Sequence, residues 1–140
     1  MKCPQCEWGW VVAAQPLEPT TDWKCDKCGY MMPHAETLKA LNKIRGSVES
    51  VDPAQIEIRE RMIKMYHGYL HPCHGYLITL KHALSQLYGR AEEYTFDVMP
   101  DLLMDRKIEL CRQMLRVADI VEPGLSRLRG TNFFYGYSKI

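Results

Sequence analysis

Cysteines are the residues of this chain best suited to chemistry, and four of the six form a regular pattern. Cys3 and Cys6 are separated by two residues, and Cys25 and Cys28 repeat that spacing. The 18 residues between the two pairs fall within the range typical of structural zinc sites. Each short spacing lets one tight turn present two sulfur atoms to the same ion, at Zn–S distances of about 2.3 Å. The pattern therefore predicts one structural Zn²⁺ held by four thiolates.

Other chemistry is also compatible with two Cys-x-x-Cys pairs, namely a redox-active dithiol or two disulfides. The N-terminal residues lack the apolar core of a secretory signal, and no apolar run is long enough to span a bilayer. We therefore expect an intracellular protein of the nucleus or the cytoplasm, without a membrane partner. Cysteines stay reduced in those compartments, which favours a metal over disulfides. Four thiolates leave no open coordination position, so the predicted metal organises structure and performs no catalysis.

A second group of candidate ligands lies in the middle of the chain and comprises His67, His71, Cys73, His74 and His82. Imidazole and thiolate both bind transition metals, and a Cys–His pair could also form a nucleophile. The Pro-Cys-His-Gly sequence at 72–75 is typical of a turn, however, and histidines can cap the carbonyl groups of a preceding helix end. We interpret this group as structural and assign no catalytic or cofactor-binding residue.

Three segments follow from the sequence pattern. Residues 1–33 form the predicted zinc-ribbon module (the ribbon), with a short strand near residues 8–12. Residues 34–130 form a helical domain, and residues 131–140 form an irregular tail because they show no helical period. A segment as short as the ribbon buries little apolar surface, so the ion must supply most of its folding free energy.

Apolar residues recur every three or four positions after the ribbon and predict a series of helices. Asp52-Pro53 is a typical helix start, an N-cap followed by proline in the first turn. The predicted helices cover about 35–50, 52–69, 76–89 and 100–121, and a fifth begins within 125–130. Short turns between them predict antiparallel hairpins. The expected fold is mainly α: a small zinc ribbon with four cysteine ligands, followed by a tetratricopeptide-like array of helical hairpins.

Charge and aromatic content limit the classes of partner that the chain can bind. The net charge is +1, and residues 1–34 carry one more acidic than basic side chain. Nucleic-acid binding depends strongly on cationic contacts to phosphates, so we expect no direct binding to nucleic acid. Trp8, Trp10 and Trp23 are then expected to form the small core of the ribbon and its contact with the helices.

The C-terminal third is basic. From residue 106 onward seven cations face three acidic side chains, and the cations are Arg106, Lys107, Arg112, Arg116, Arg127, Arg129 and Lys139. A charged helix face is usually solvated surface, and that is our interpretation of these residues. The alternative is a contact for an acidic peptide or for a catalytic domain outside this chain.

Several motifs together resemble the C-terminal part of the SET and MYND domain (SMYD) protein-lysine methyltransferases, in particular the arthropod msta-like and SmydA branch. They occur in the order found in that family and comprise Cys3-Pro4-Gln5-Cys6, DWKCDKCG at 22–29, LHPCH at 70–74, LSQLYGR at 84–90, RKIELC at 106–111 and PGLSRLRG at 123–130. The resemblance implies a zinc-binding post-SET segment followed by a tetratricopeptide-like domain that closes over a substrate cleft.

The same resemblance implies an S-adenosylmethionine-dependent SET core, but its motifs are absent from this sequence. We find no Asn-His-Ser-Cys segment, no MYND zinc cluster, no catalytic tyrosine segment and no cofactor-binding glycines. The first hypothesis is therefore a non-catalytic fragment that completes such an enzyme. S-adenosylmethionine and a histone or other lysine-containing substrate would then belong to the full-length protein. The second is a stand-alone zinc-ribbon and helical adaptor that binds protein partners.

Overall fold

Three short strands precede five helices in the computed structural model, which describes residues 1–52 and 54–137. The elements are β1 (Val11–Ala13), β2 (Trp23–Cys25), β3 (Met31–Met32), α1 (His34–Glu49), α2 (Ile56–His67), α3 (Gly75–Leu87), α4 (Asp101–Val121) and α5 (Arg127–Tyr137). A single 3-10 turn covers Glu92–Tyr94. This confirms the predicted fold class, a mainly helical chain with a small cysteine-bearing sheet at its start. Among the described residues, no helix is long and apolar enough to cross a bilayer.

The sheet is antiparallel, with strand order β1-β2-β3. Val11 lies opposite Cys25, and Trp23 lies opposite Met32. The predicted strand at 8–12 therefore begins later, at Val11, because the residues before it belong to the turn around the first cysteine pair.

Helix α3 lies at the centre of the helical part, in contact with α1, α2, α4 and α5. Its stripe of Leu77, Leu80 and Leu84 is fully buried. Burying one such side chain stabilises a fold by roughly 1.5–3 kcal/mol. This stripe was visible in the sequence because its members recur at three- and four-residue intervals.

Ribbon and helices share one core. Met1, Cys3, Val11 and Cys25 belong to the same buried cluster as the leucines of α3. The backbone N–H of Lys2 also donates to the carbonyl oxygen of Tyr69, just after α2, at 2.8 Å.

Another link between the two parts fixes the start of α1. The Asp22 side chain accepts a 2.9 Å hydrogen bond from the backbone N–H of His34, the first residue of that helix. N–H groups in the first turn of a helix lack partners within the helix, so this bond satisfies one of them.

Helix α2 begins at Ile56, not at the predicted Asp52-Pro53 start. The Asp52 carboxylate accepts from the N–H of Ala54 at 2.8 Å, which forms a local turn in place of a helix cap. Pro53 itself lies outside the described residues.

The predicted irregular tail is wrong for residues 131–137, which belong to α5. Helix α5 packs on α4, and Asn132 is fully buried, with its side-chain N–H donating to the Leu128 carbonyl at 2.8 Å. Packing on α4 therefore stabilises α5, although the sequence of α5 shows no amphipathic pattern. Residues 138–140 lie outside the described residues.

Candidate metal centre

Both cysteine pairs meet at one point. The four sulfur atoms all lie within 4.8 Å of one another. The Sγ atoms of Cys3 and Cys28 are 3.6 Å apart, and those of Cys6 and Cys25 are 3.7 Å apart. A tetrahedral ion with Zn–S distances of about 2.3 Å requires sulfur separations of about 3.8 Å. The four free thiols are therefore spaced to hold one metal ion such as zinc.

Each pair is held by the same local hydrogen bond. The backbone N–H of Gln5 donates to Cys3 Sγ at 3.4 Å, and that of Lys27 donates to Cys25 Sγ at the same distance. The two turns therefore hold their first cysteine with the same backbone geometry.

Left-handed backbone closes each turn. Glu7 follows the first pair with φ of 58°, and Gly29 follows the second with φ of 74°. Their N–H groups donate to the carbonyl oxygens of Cys3 and Cys25, both at 3.3 Å. Glycine adopts this conformation freely, whereas a side chain such as that of Glu7 costs about 1–2 kcal/mol.

Gly9 lets the two turns come together. A Cβ atom at this buried position would lie 2.4 Å from Cys25 Sγ and 2.7 Å from Asp26 Oδ1. Asp26 joins the turns further: its carboxylate accepts from the N–H of Trp10 at 2.7 Å, and its own N–H donates to the Trp10 carbonyl at 3.1 Å. Any side chain at position 9 would push these groups apart.

The charges of the cluster also fit a cation. Hydrogen bonds from backbone N–H groups, that of Trp8 foremost, lower the pKa of Cys6 to about 7. The N–H of Tyr30 lowers the pKa of Cys28, but desolvation and the adjacent thiols outweigh it and raise that pKa to about 12. Four sulfur atoms this close cannot all be anionic at neutral pH without a cation between them. A divalent metal would offset their repulsion, and its binding would release protons.

Only part of the predicted tryptophan core is correct. Trp10 and Trp23 are partly buried, and the Trp10 ring meets His71 edge-on with 5.0 Å between ring centroids. Trp8 is 87% exposed, because it lies on the outer side of the turn that carries Cys6. Trp10 therefore contacts the turn before α3, and Trp23 packs against the core that the ribbon shares with the helices, whereas Trp8 does neither.

Two of the four central histidines, His71 and His74, accept hydrogen bonds from the backbone. His71 Nδ1 accepts from the Cys73 N–H at 3.1 Å, and His74 Nδ1 accepts from the Tyr76 N–H at 3.3 Å as the N-cap of α3. The His74 side chain thus caps the start of α3, and the His71 side chain closes the turn before it. The predicted capping of carbonyls at the preceding helix end is wrong for both. Within 1–52 and 54–137, the group close enough to share a metal is the N-terminal cysteine set.

Two of the cations predicted as solvated surface are engaged inside the fold. Lys107 is 1% exposed, and its ammonium donates to the carbonyl oxygens of Ser85 and Tyr88 at 2.9 and 2.5 Å. Arg106 donates to both carboxylate oxygens of Glu60, at 2.8 and 2.9 Å. Lys139 lies outside the described residues.

No family model matches this chain, and neither a curated protein nor a solved structure matches it. The resemblance to the SMYD proteins therefore stays a prediction from the motifs.

Proposed function

We propose that Cys3, Cys6, Cys25 and Cys28 bind one structural Zn²⁺ and that the chain is a non-catalytic, zinc-stabilised module for protein interaction. The observation that carries the proposal is the approach of all four sulfur atoms within 4.8 Å. Four thiolates in tetrahedral arrangement are the usual ligands of structural zinc. They leave no position for a substrate or a reactive water molecule.

A role in protein binding is supported by large apolar side chains at the surface. Leu102 and Ile120 are 78% and 81% exposed and line one concave surface between α2 and α4, together with Leu103 and Val117. Contiguous exposed apolar surface of this kind typically marks an interaction site.

For the whole protein, we propose a SET core as the partner, so that the chain completes a SMYD-type protein-lysine methyltransferase. The family motifs given by residue range above support this role, in which the core binds S-adenosylmethionine and the lysine substrate. The test is whether the transcript continues in frame, upstream of the Met1 codon, into a SET core. A stop codon there favours the stand-alone adaptor.

Metal analysis of the purified, reduced protein tests the zinc site. We expect one zinc per chain by plasma mass spectrometry, and four additional reactive thiols after chelation. A folded protein without metal, in which all six thiols react freely, would contradict the proposal.

Two cysteine variants test which residues bind the metal. Cys25→Ser should lose the metal and unfold the ribbon, because an incomplete thiolate set forfeits most of the folding contribution of the ion. Cys73→Ser is the matched control, since Cys73 is exposed and lies outside the cluster. Equal zinc content in the two variants would exclude the assigned ligand set.

A further inference from the structure

A groove of about 830 Å³ lies over α3, between α2 and α4. Ile63 of α2, Ile78 of α3 and Leu103 of α4 give it apolar surface. At one end the Arg106–Glu60 ion pair bridges α4 and α2. The groove is thus an open channel between two helices with a third beneath it.

Two faces of helix α4 have different surroundings. One faces the core and includes Leu110, Cys111 and Ala118, which are at most 1% exposed. The other lines the groove along nearly the whole helix, from Leu103 through Val117 to Ile120. At 1.5 Å per residue this second face is about 25 Å long, the length of a helix of about 17 residues. Ile120 is 81% exposed and belongs to this second face, whereas Lys107 and Ala118 complete the core face.

The groove is strongly cationic although the chain as a whole is nearly neutral. Its charged lining comprises one carboxylate, Glu60, and four cations, Lys64, Lys81, Arg106 and Arg116. Glu60 is already bound by Arg106 and by the Tyr88 hydroxyl, which donates at 3.1 Å. The free charge offered to a ligand is therefore positive.

Lys81 adds a buried donor. This residue is 8% exposed, and its ammonium donates to the Pro72 carbonyl at a long 3.4 Å. Among the described residues no carboxylate lies within ion-pair distance of it. Because a buried charge is costly without a close counter-charge, this site favours an incoming anion.

We propose that the groove binds an acidic amphipathic α-helix of a partner protein; this deepens the interaction role proposed above and rests on it. Apolar side chains of that helix pack against Ile63, Leu103 and Ile120, and its carboxylates face Lys64, Lys81 and Arg116. A helix suits an apolar channel because its backbone groups bond internally.

Peptide selection tests the proposal. A phage-displayed library of random 18-residue peptides is selected on the zinc-loaded protein, with counter-selection on the double variant Lys64→Glu/Arg116→Glu. We expect enriched peptides that combine Asp or Glu with apolar residues at three- and four-residue spacing. Synthetic copies should bind the double variant at least about tenfold more weakly by titration calorimetry, and more weakly as NaCl is added.

The chain offers matched controls. Arg61→Glu/Arg112→Glu changes the net charge equally at exposed positions of α2 and α4 outside the groove, and affinity should stay within about twofold. To test the apolar contact, the peptide affinity of Ile120→Ser is compared with that of Val121→Ser. Val121 is 65% exposed on the same helix and does not line the groove.

Three results would overturn the groove proposal. In the first, the selection yields no peptide that binds the wild type and the double variant differently. In the second, the enriched peptides lack acidic residues or lack apolar residues at helical spacing. The third is a concentration-dependent dimer, seen by sedimentation and abolished by Ile120→Ser, which would make a second copy the occupant. Zinc content measured on the same preparation separates these failures from failure of the metal proposal.

Discussion

Gly9 and Asp26 both help to hold the two cysteine turns against each other. The missing side chain of Gly9 leaves the space that Cys25 Sγ and the Asp26 carboxylate occupy. Asp26 then bonds the backbone of Trp10 in both directions, which fixes the first turn against the second.

Gly9→Ala should weaken metal binding and lower the free energy of unfolding by about 1–3 kcal/mol, because the added methyl group overpacks the site. Competition with a chromogenic chelator and thermal unfolding measure the two effects. Gly46→Ala in α1 is the control: a Cβ there meets nothing within 4 Å, so stability should rise slightly. Unchanged metal affinity in Gly9→Ala would show that the two turns can move apart freely.

The sequence predicted the four ligands because their spacing alone encodes two tight turns. It did not predict the roles of Gly9 and Asp26, since both depend on the contact between turns that are distant along the chain. The exposure of Trp8 was missed for the same reason, because an aromatic residue beside a cysteine pair can face either side of the turn.

At the scale of elements, the end of α3 depends on a residue of α4. The Lys107 ammonium binds two carbonyl groups, those of Ser85 and Tyr88, where the last turn of α3 lacks partners within the helix. It also lies 5.3 Å from the centre of the Phe96 ring. A positive charge at this position interacts favourably with the helix dipole.

Lys107→Met should lower the free energy of unfolding by about 2–3 kcal/mol, since it leaves buried carbonyl groups without a charged donor. Urea unfolding followed by circular dichroism measures the change. Arg112→Met, on the exposed side of the same helix, should stay within about 0.5 kcal/mol of the wild type. Equal losses in the two variants would refute the capping role.

The start of α3 should make stability dependent on pH. Burial, and then the N-terminal ammonium and His71, lower the pKa of His74 below its ordinary 6.5. The unfolded chain therefore takes up this proton first, so stability should fall as the pH drops below about 6.5 and level off once the folded imidazole is also protonated. Protonation of Nδ1 would also remove the acceptor for Tyr76.

Urea midpoints between about pH 5 and 8, at saturating zinc, test this dependence. His74→Ser keeps an N-cap acceptor without a titrating group and should show a shallower pH slope. Burial also lowers the pKa of His82, which therefore supplies part of the remaining slope. An identical slope in His74→Ser would exclude the role assigned to His74.

Elements with a strong apolar period were predicted well, and those without one were not. Helices α1 and α4 begin within a residue of their predicted starts because their period is clear. Lys107 was predicted on the solvated face because lysine side chains are usually exposed. Its position, four residues before the buried Cys111, instead places it on the buried face of α4. Helix α5 has almost no amphipathic pattern, so only its packing on α4 identifies it.

At the scale of the whole molecule, the shared core should make the ribbon and the helices unfold together. The backbone N–H of Lys2 donates to the Tyr69 carbonyl, and the Asp22 carboxylate accepts from the N–H of His34, so two hydrogen bonds join the two parts. Loss of the metal should therefore reach the helices, although no helical residue is proposed as a ligand.

Chelation should lower the melting temperature of the helices by about 10 °C or more, in a single transition, since the metal supplies most of the stability of the ribbon. Circular dichroism at about 222 nm follows the helices, and added zinc should restore the original curve. A helical transition that stays unchanged after the metal is removed would show that the two parts are energetically independent.

The distribution of tryptophan has an optical consequence. All three indole rings of the chain, those of Trp8, Trp10 and Trp23, belong to the ribbon, and none lies in a helix. The exposed Trp8 ring and the partly buried Trp10 and Trp23 rings differ in their contact with solvent. Intrinsic tryptophan emission therefore originates in the ribbon, beside the proposed metal site, and the unlabelled protein carries its own fluorescent sensor for metal loading.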